Sequence, residues 1–162
     1  IETSVGRLVS DVCGLLERAL PEGVELSADP DPQLPKIMAD GTQLKQVLLN
    51  LAFNARDAMP GGGRITLGAA MVEAADLPRV NPPLEAIPHV RINIADTGTG
   101  IRPEVLPHIF EPFFTTKEVG KGTGIGLSTV RSIVQQHNGA IVVSSELGVG
   151  TTFAIYLPAL SI

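Results

Sequence analysis

The chain has 162 residues, 44% of them hydrophobic, enough for one core within the usual domain size of about 100 to 200 residues, so a single domain over 1–162 is expected. Twelve basic against seventeen acidic side chains leave a net charge of −5 without a basic stripe, which argues against a nucleic-acid partner. No apolar run approaches the ~18 residues of a membrane span, and no basic-then-apolar leader opens the chain, so no direct membrane contact is expected.

The single cysteine, Cys13, can form no internal disulfide and reads as a small buried hydrophobe, which suits a reducing, cytoplasmic setting. The abrupt start at Ile1-Glu-Thr-Ser reads as a domain excised from a longer protein.

In chain order, Val5, Leu8, Val9, Val12, Leu15, Leu16 and Ala19 recur at steps of three and four, predicting an amphipathic helix that Pro21 and Gly23 end. A short strand is predicted at Val24 to Ala28, then a loop over Asp29 to Pro35. Asp40 caps a second helix running to Met59, broken by Pro60 and the glycines after it. Strands follow at Arg64 to Val72 and Val90 to Ala95, joined by an exposed proline-rich connection. A short helix over Pro103 to Ile109, a polar loop to about Thr123 and a helix from Gly126 to Gln136 come next. The chain closes with an antiparallel pair, Ile141 to Ser145 and Thr151 to Leu157, across Gly148 to Gly150.

Chemistry begins on the second helix. Leu44, Val47, Leu48, Leu51, Ala55 and Ala58 gather on one face, and Asn50, Asn54 and Asp57 form a polar stripe along its edge. Asparagine is a mediocre helix former that exposed positions seldom favour, so the stripe reads as the wall of something concave rather than a solvated face. Arg56 projects from the far side and is left out of the site. Asp96 falls in phase with Val90, Ile92 and Ile94 and points inward at a strand end, where a carboxylate needs donors: the amides of the following turn, or a ligand's amino group. Thr151, in phase with Phe153, Ile155 and Leu157, offers a hydroxyl to the same interior.

Two glycine clusters, Asp96-Thr-Gly98-Thr-Gly100-Ile101 and Gly120-Lys-Gly122-Thr-Gly124-Ile-Gly126-Leu127, stand in fixed order behind that helix. Glycines so spaced let backbone amides approach a ligand, and a nucleotide is the first to consider. Neither cluster ends in Gly-Lys-Ser/Thr, and neither sits in a Rossmann unit, so the phosphate cradle is of another kind.

Together these residues resemble the catalytic and ATP-binding domain of sensor histidine kinases. Asn50-Leu-Ala-Phe-Asn54-Ala-Arg-Asp57-Ala58 is similar to the asparagine box, and Asp96 to Ile101 to the first glycine box. Ile109-Phe-Glu-Pro-Phe-Phe-Thr-Thr-Lys117 is similar to the phenylalanine box, Gly122 to Leu127 to the second glycine box, and Gly148-Val-Gly-Thr-Thr-Phe153 to the last. The resemblance implies the Bergerat fold, an α/β two-layer sandwich: a mixed, mostly antiparallel sheet, three main helices on one face and a flexible ATP lid at about 111–123. It also implies that residues 1–23 follow a helical dimerisation domain carrying the acceptor histidine, and that a response regulator is the indirect partner.

The same resemblance implies the site. Asp96 would accept from the adenine amine, Thr151 support it through water, and Ile101 line the base. Asn54 would hold Mg²⁺ through its amide oxygen, while Asp57, Ala58, Gly98 and Gly100 border the nucleotide. Gly122, Thr123, Gly124, Ile125, Gly126 and Leu127 would present a helix N-terminus to the phosphates. Lys117 would neutralise phosphate charge, Lys121 is solvated, and Phe110, Phe113 and Phe114 pack the lid. Asn50 occupies the position of the glutamate base in the superfamily's hydrolases, and Asp57 that of a lysine in many histidine kinases. His89, His108 and His137 lack the surroundings of a phosphoacceptor. The function implied is transfer of the γ-phosphoryl of Mg-ATP to a histidine on another domain. The alternatives are a regulatory module holding ADP or a cyclic dinucleotide, and an anti-sigma-factor type serine kinase.

Overall fold

The computed structural model describes residues 1–31, 33–112 and 126–160. Phe113, Phe114, Lys117, Lys121, Gly122, Thr123, Gly124 and Ile125, for which the sequence carries expectations, lie outside these residues, as does most of the expected lid.

A five-stranded sheet carries the fold: β2 (Val24–Pro30), β4 (Gly63–Val72), β5 (His89–Asp96), β6 (Ala140–Glu146) and β7 (Gly150–Pro158), in the order β2-β4-β5-β7-β6. Only the β2·β4 pair is parallel, so the sheet is mixed and mostly antiparallel. Three helices, α1 (Val5–Ala19), α2 (Gly41–Asp57) and α3 (Leu127–Gln136), bury their apolar stripes on one face of it. Inward positions alternate along each strand: Ile65, Leu67 and Ala69; Val90, Ile92 and Ile94; Phe153, Ile155 and Leu157. A small second sheet pairs β1 (Glu2–Thr3) with β3 (Ile37–Met38); two residues each are too short for an alternating pattern to announce them.

Two expectations shift. The strand from Val24 continues past Ala28 to Pro30, with Asp29 beside Gly68 and Pro30 beside Ala69; a sheet edge tolerates proline because no neighbour needs its missing N–H. The helix expected over Pro103 to Ile109 is a 3₁₀ turn at Leu106–His108, since Pro107 lacks the N–H that an α-helix would bond to residue 103.

Local chemistry sets the helix ends. Asp40 caps α2 by accepting from the Thr42 and Gln43 amides at 3.0 and 3.2 Å. The Asp40 amide itself donates to His137 Nε2 at 3.1 Å, while His137 Nδ1 lies 2.7 Å from the Ile133 carbonyl. A carbonyl only accepts, so the proton sits on Nδ1 and the neutral ring ties the end of α3 to the start of α2. His89 is wholly buried, with Nδ1 on the Ile87 carbonyl at 2.8 Å, and His108 pairs with Glu111 at 2.6 Å. Cys13 is half-buried against the core rather than fully enclosed, and burial, then Glu17, raises its thiol pKa. No helix among the described residues is long and apolar enough to cross a membrane.

His137→Ala should therefore cost about 1–2 kcal/mol of stability in urea unfolding, the worth of two lost hydrogen bonds, at a position remote from the strand ends that carry Asp96 and Thr151. An unchanged midpoint would show that the bridge contributes nothing.

Candidate functional site

The inward face of the sheet is built in rows. Ala69, Ile92, Ile155 and Ile141 lie side by side across β4, β5, β7 and β6, as do Leu67, Ile94, Phe153 and Val143. One step further along, the same register aligns Ile65, Asp96, Thr151 and Ser145. The sheet face thus changes from apolar to polar within one row, at the strand ends.

Asp96 is half-buried. Its Oδ1 accepts the Gly98 amide at 2.8 Å and the Thr151 amide at 3.3 Å. Burial raises its pKa above the usual 3.8, and these two hydrogen bonds pull the other way. Thr151 is 5% exposed, and its Oγ1 lies 2.9 Å from Ser145 Oγ. Both inward orientations expected from strand alternation hold.

The loop after Asp96 sits on the C-terminal end of α2. The Thr99 amide donates to the Ala58 carbonyl at 3.0 Å, and a Cβ added to Gly98 would come 2.5 Å from that carbonyl oxygen. Gly100, at φ +76°, would bring a Cβ against the Glu146 carbonyl. These glycines are therefore required by the chain's own backbone; close approach to a ligand is not what demands them. Their packing places the first glycine cluster beside Ala58 and one turn from Asn54.

On α2, Asn50 is buried at 4% exposure, Asn54 is half-buried and Asp57 is exposed, so the stripe runs from the interior at Asn50 out to the surface at Asp57 instead of following one edge throughout. Arg56 departs from expectation. Its guanidinium turns to Asp57 at 3.0 Å and stacks over Phe53, 4.8 Å from the ring centre, so it lies next to the stripe rather than away from it. The carboxylate of Asp57 thus has an adjacent guanidinium, a pairing its helical spacing alone did not indicate. α2 packs against α3, whose N-cap, Gly126, offers no side chain to its first amides. Phe110 leads into the expected lid edge-to-face on Phe153, with ring centres 6.5 Å apart. No group of three or more His, Cys, Asp or Glu suited to a metal occurs among the described residues.

Ser145 was missed. It falls in phase with Ile141 and Val143, so the alternation that singled out Thr151 also aims it inward. Its Oγ accepts the Ile101 amide at 2.7 Å and donates to the Gly150 carbonyl at 3.2 Å, joining the first glycine cluster to the last hairpin.

A family model described as histidine kinase-, DNA gyrase B-, and HSP90-like ATPase matches residues 39–161. The sensor kinase CckA of Brucella abortus is 49% identical over 154 residues, covering 94% of this chain but 16% of that protein. The chain thus spans a small part of that relative's length. Among solved structures, full-length ShkA in complex with AMPPNP superposes with a TM-score of 0.80 at 30% identity, over all of this chain and 31% of ShkA. The histidine kinase ThkA in complex with the response regulator protein TrrA gives 0.73 at 27%, over 99% of this chain and 42% of that one. The match of the family model over residues 39–161 and the 49% identity to CckA make this chain a member of the histidine kinase-, DNA gyrase B- and HSP90-like ATPases, with the fold of a histidine kinase catalytic domain.

Proposed function

We propose that this chain binds Mg-ATP and donates the γ-phosphoryl group to a histidine on a separate helical phosphoacceptor domain, as part of a sensor kinase acting on a response regulator. The observation that carries the reading is the buried amide of Asn50, one helical turn before Asn54. An amide takes up no proton at neutral pH, so this position cannot activate water, and bound ATP waits for another nucleophile. A histidine nitrogen then attacks the γ-phosphorus, the bond to the β-phosphate bridging oxygen breaks, and ADP leaves.

In this reading Asp96 and Thr151 receive the adenine amine, and Ile101 lines the base beside Gly98 and Gly100. Asp57 and Ala58 border the nucleotide, and Gly126 and Leu127 turn their amides toward the phosphates. The roles of Lys117, Gly122, Thr123, Gly124 and Ile125 rest on the sequence resemblance alone. Magnesium fits the donors present: a single amide oxygen on an inward helix edge, at Asn54, suits a hard ion that brings phosphate and water oxygens as its remaining ligands. When bound, it would offset charge on the β- and γ-phosphates. ShkA's complex with AMPPNP and ThkA's with TrrA support nucleotide and regulator as the partners.

Mixed with its helical domain and labelled ATP, the chain should yield acid-labile phosphohistidine. Asn54→Ala should cut that yield by about 100-fold or more while the protein stays folded. Acid-stable phosphate on the product would instead favour a serine kinase, and signalling that survives Asn54→Ala would favour a regulatory module.

Asp96 gives a second check. A carboxyl whose folded pKa is raised holds its proton more tightly folded than unfolded, so its contribution to stability is greatest at low pH and is lost as pH rises from 3.8 through the folded value. Nucleotide-free Asp96→Asn should therefore melt at or above the wild type at pH 7, with the gap closing below pH 3.8, while ATP affinity falls by about tenfold or more. A variant less stable at neutral pH, with affinity intact, would assign the carboxylate to structure.

A further inference from the structure

Ser145 touches three polar partners at once: the Ile101 amide at 2.7 Å, Thr151 Oγ1 at 2.9 Å and the Gly150 carbonyl at 3.2 Å. A hydroxyl has one proton and two lone pairs. The Ile101 amide can only donate and the Gly150 carbonyl can only accept. All three contacts are satisfied in one arrangement: the Ser145 proton on Gly150, one lone pair on Ile101, and the other receiving the proton of Thr151.

That arrangement commits Thr151. With its proton held by Ser145, Thr151 Oγ1 has only lone pairs left to offer. Beside it in register stands Asp96, whose Oδ1 is already taken by the amides of Gly98 and Thr151. The polar end of the row therefore presents acceptors: Asp96 Oδ2 and Thr151 Oγ1. A 6-aminopurine brings two N–H groups to such an edge, directly or through water. A 6-oxopurine brings a carbonyl oxygen, which meets only lone pairs.

We propose that Ser145 is a positioning residue for base selectivity, fixing the proton of Thr151 so that the pocket accepts a 6-amino and rejects a 6-oxo purine nucleotide. The inference rests on the nucleotide-binding reading above. Removal of the Ser145 hydroxyl frees the Thr151 proton to turn toward a carbonyl oxygen, and discrimination falls even where the fold is unchanged.

The test is calorimetric binding of ATP and of inosine triphosphate, which differ in the 6-substituent and in the proton that the 6-oxopurine carries on N1, to the wild type and to S145A, S145T, T151V and the S145A/T151V double variant. The wild type should prefer ATP, and S145A should reduce that preference by about tenfold, the worth of one hydrogen bond switched from misdirected to made. S145T, which keeps the hydroxyl, should restore it. In the T151V background S145A should leave the preference where T151V set it, because the serine acts through the threonine. Should S145A not fold, S145C, whose sulfur accepts hydrogen bonds poorly, carries the same comparison. A preference unchanged in S145A, with only the melting temperature lowered, overturns the role of Ser145 and leaves nucleotide binding intact. A wild type that binds neither nucleotide overturns both.

Discussion

The row of Asp96, Thr151 and Ser145 is the constraint around which the rest is arranged. A carboxylate drawn out of water needs donors, and the sheet supplies one from the facing strand, the Thr151 amide, and one from its own following turn, the Gly98 amide. For the Gly98 amide to reach back, the chain must turn sharply straight after the strand. For that turn to fit, it must lie on the end of α2 with no Cβ between them. One half-buried carboxylate thus goes with a glycine, a turn and the approach of a helix.

The helix so placed carries its polar edge toward the same end of the sheet. Its apolar side fills the space above β4 and β5, with Leu44, Val47, Leu48 and Leu51 nearly inaccessible, burial that favours folding at roughly 25 cal/mol per Å² of apolar surface. That packing fixes the rotation of α2, and with it the direction in which Asn50 and Asn54 point. Rotational freedom would otherwise let an asparagine find solvent. His137 adds a second restraint at the opposite end, through the Asp40 amide.

In the proposed reading, the chemistry of the α2 edge is what separates this domain from hydrolases of the same family. The inward edge of α2 offers amides at Asn50 and Asn54, and the carboxylate that follows, Asp57, is paired with Arg56. Amides coordinate and orient without exchanging protons at neutral pH. Phosphoryl transfer asks mainly for position and charge neutralisation, and a wall of this composition fits a donor that holds its nucleotide for an external acceptor.

Local sequence signals determined α1, α2, α3, the five strands of the large sheet (β2 only as far as Ala28) and the inward sense of Asp96 and Thr151, because alternation and the helical repeat are local properties of the chain. The motif order carried the family, since the boxes are contiguous stretches. Tertiary structure decided the rest. The parallel pairing of β2 through Pro30, the turn of Arg56 onto Asp57, and the reason Gly98 and Gly100 are glycine all depend on neighbours distant in sequence. The alignment of Ser145 with Thr151 and Asp96 is of the same kind: each inward direction is legible along its own strand, but strand order and register, set by burial of the shared face, decide which of them meet.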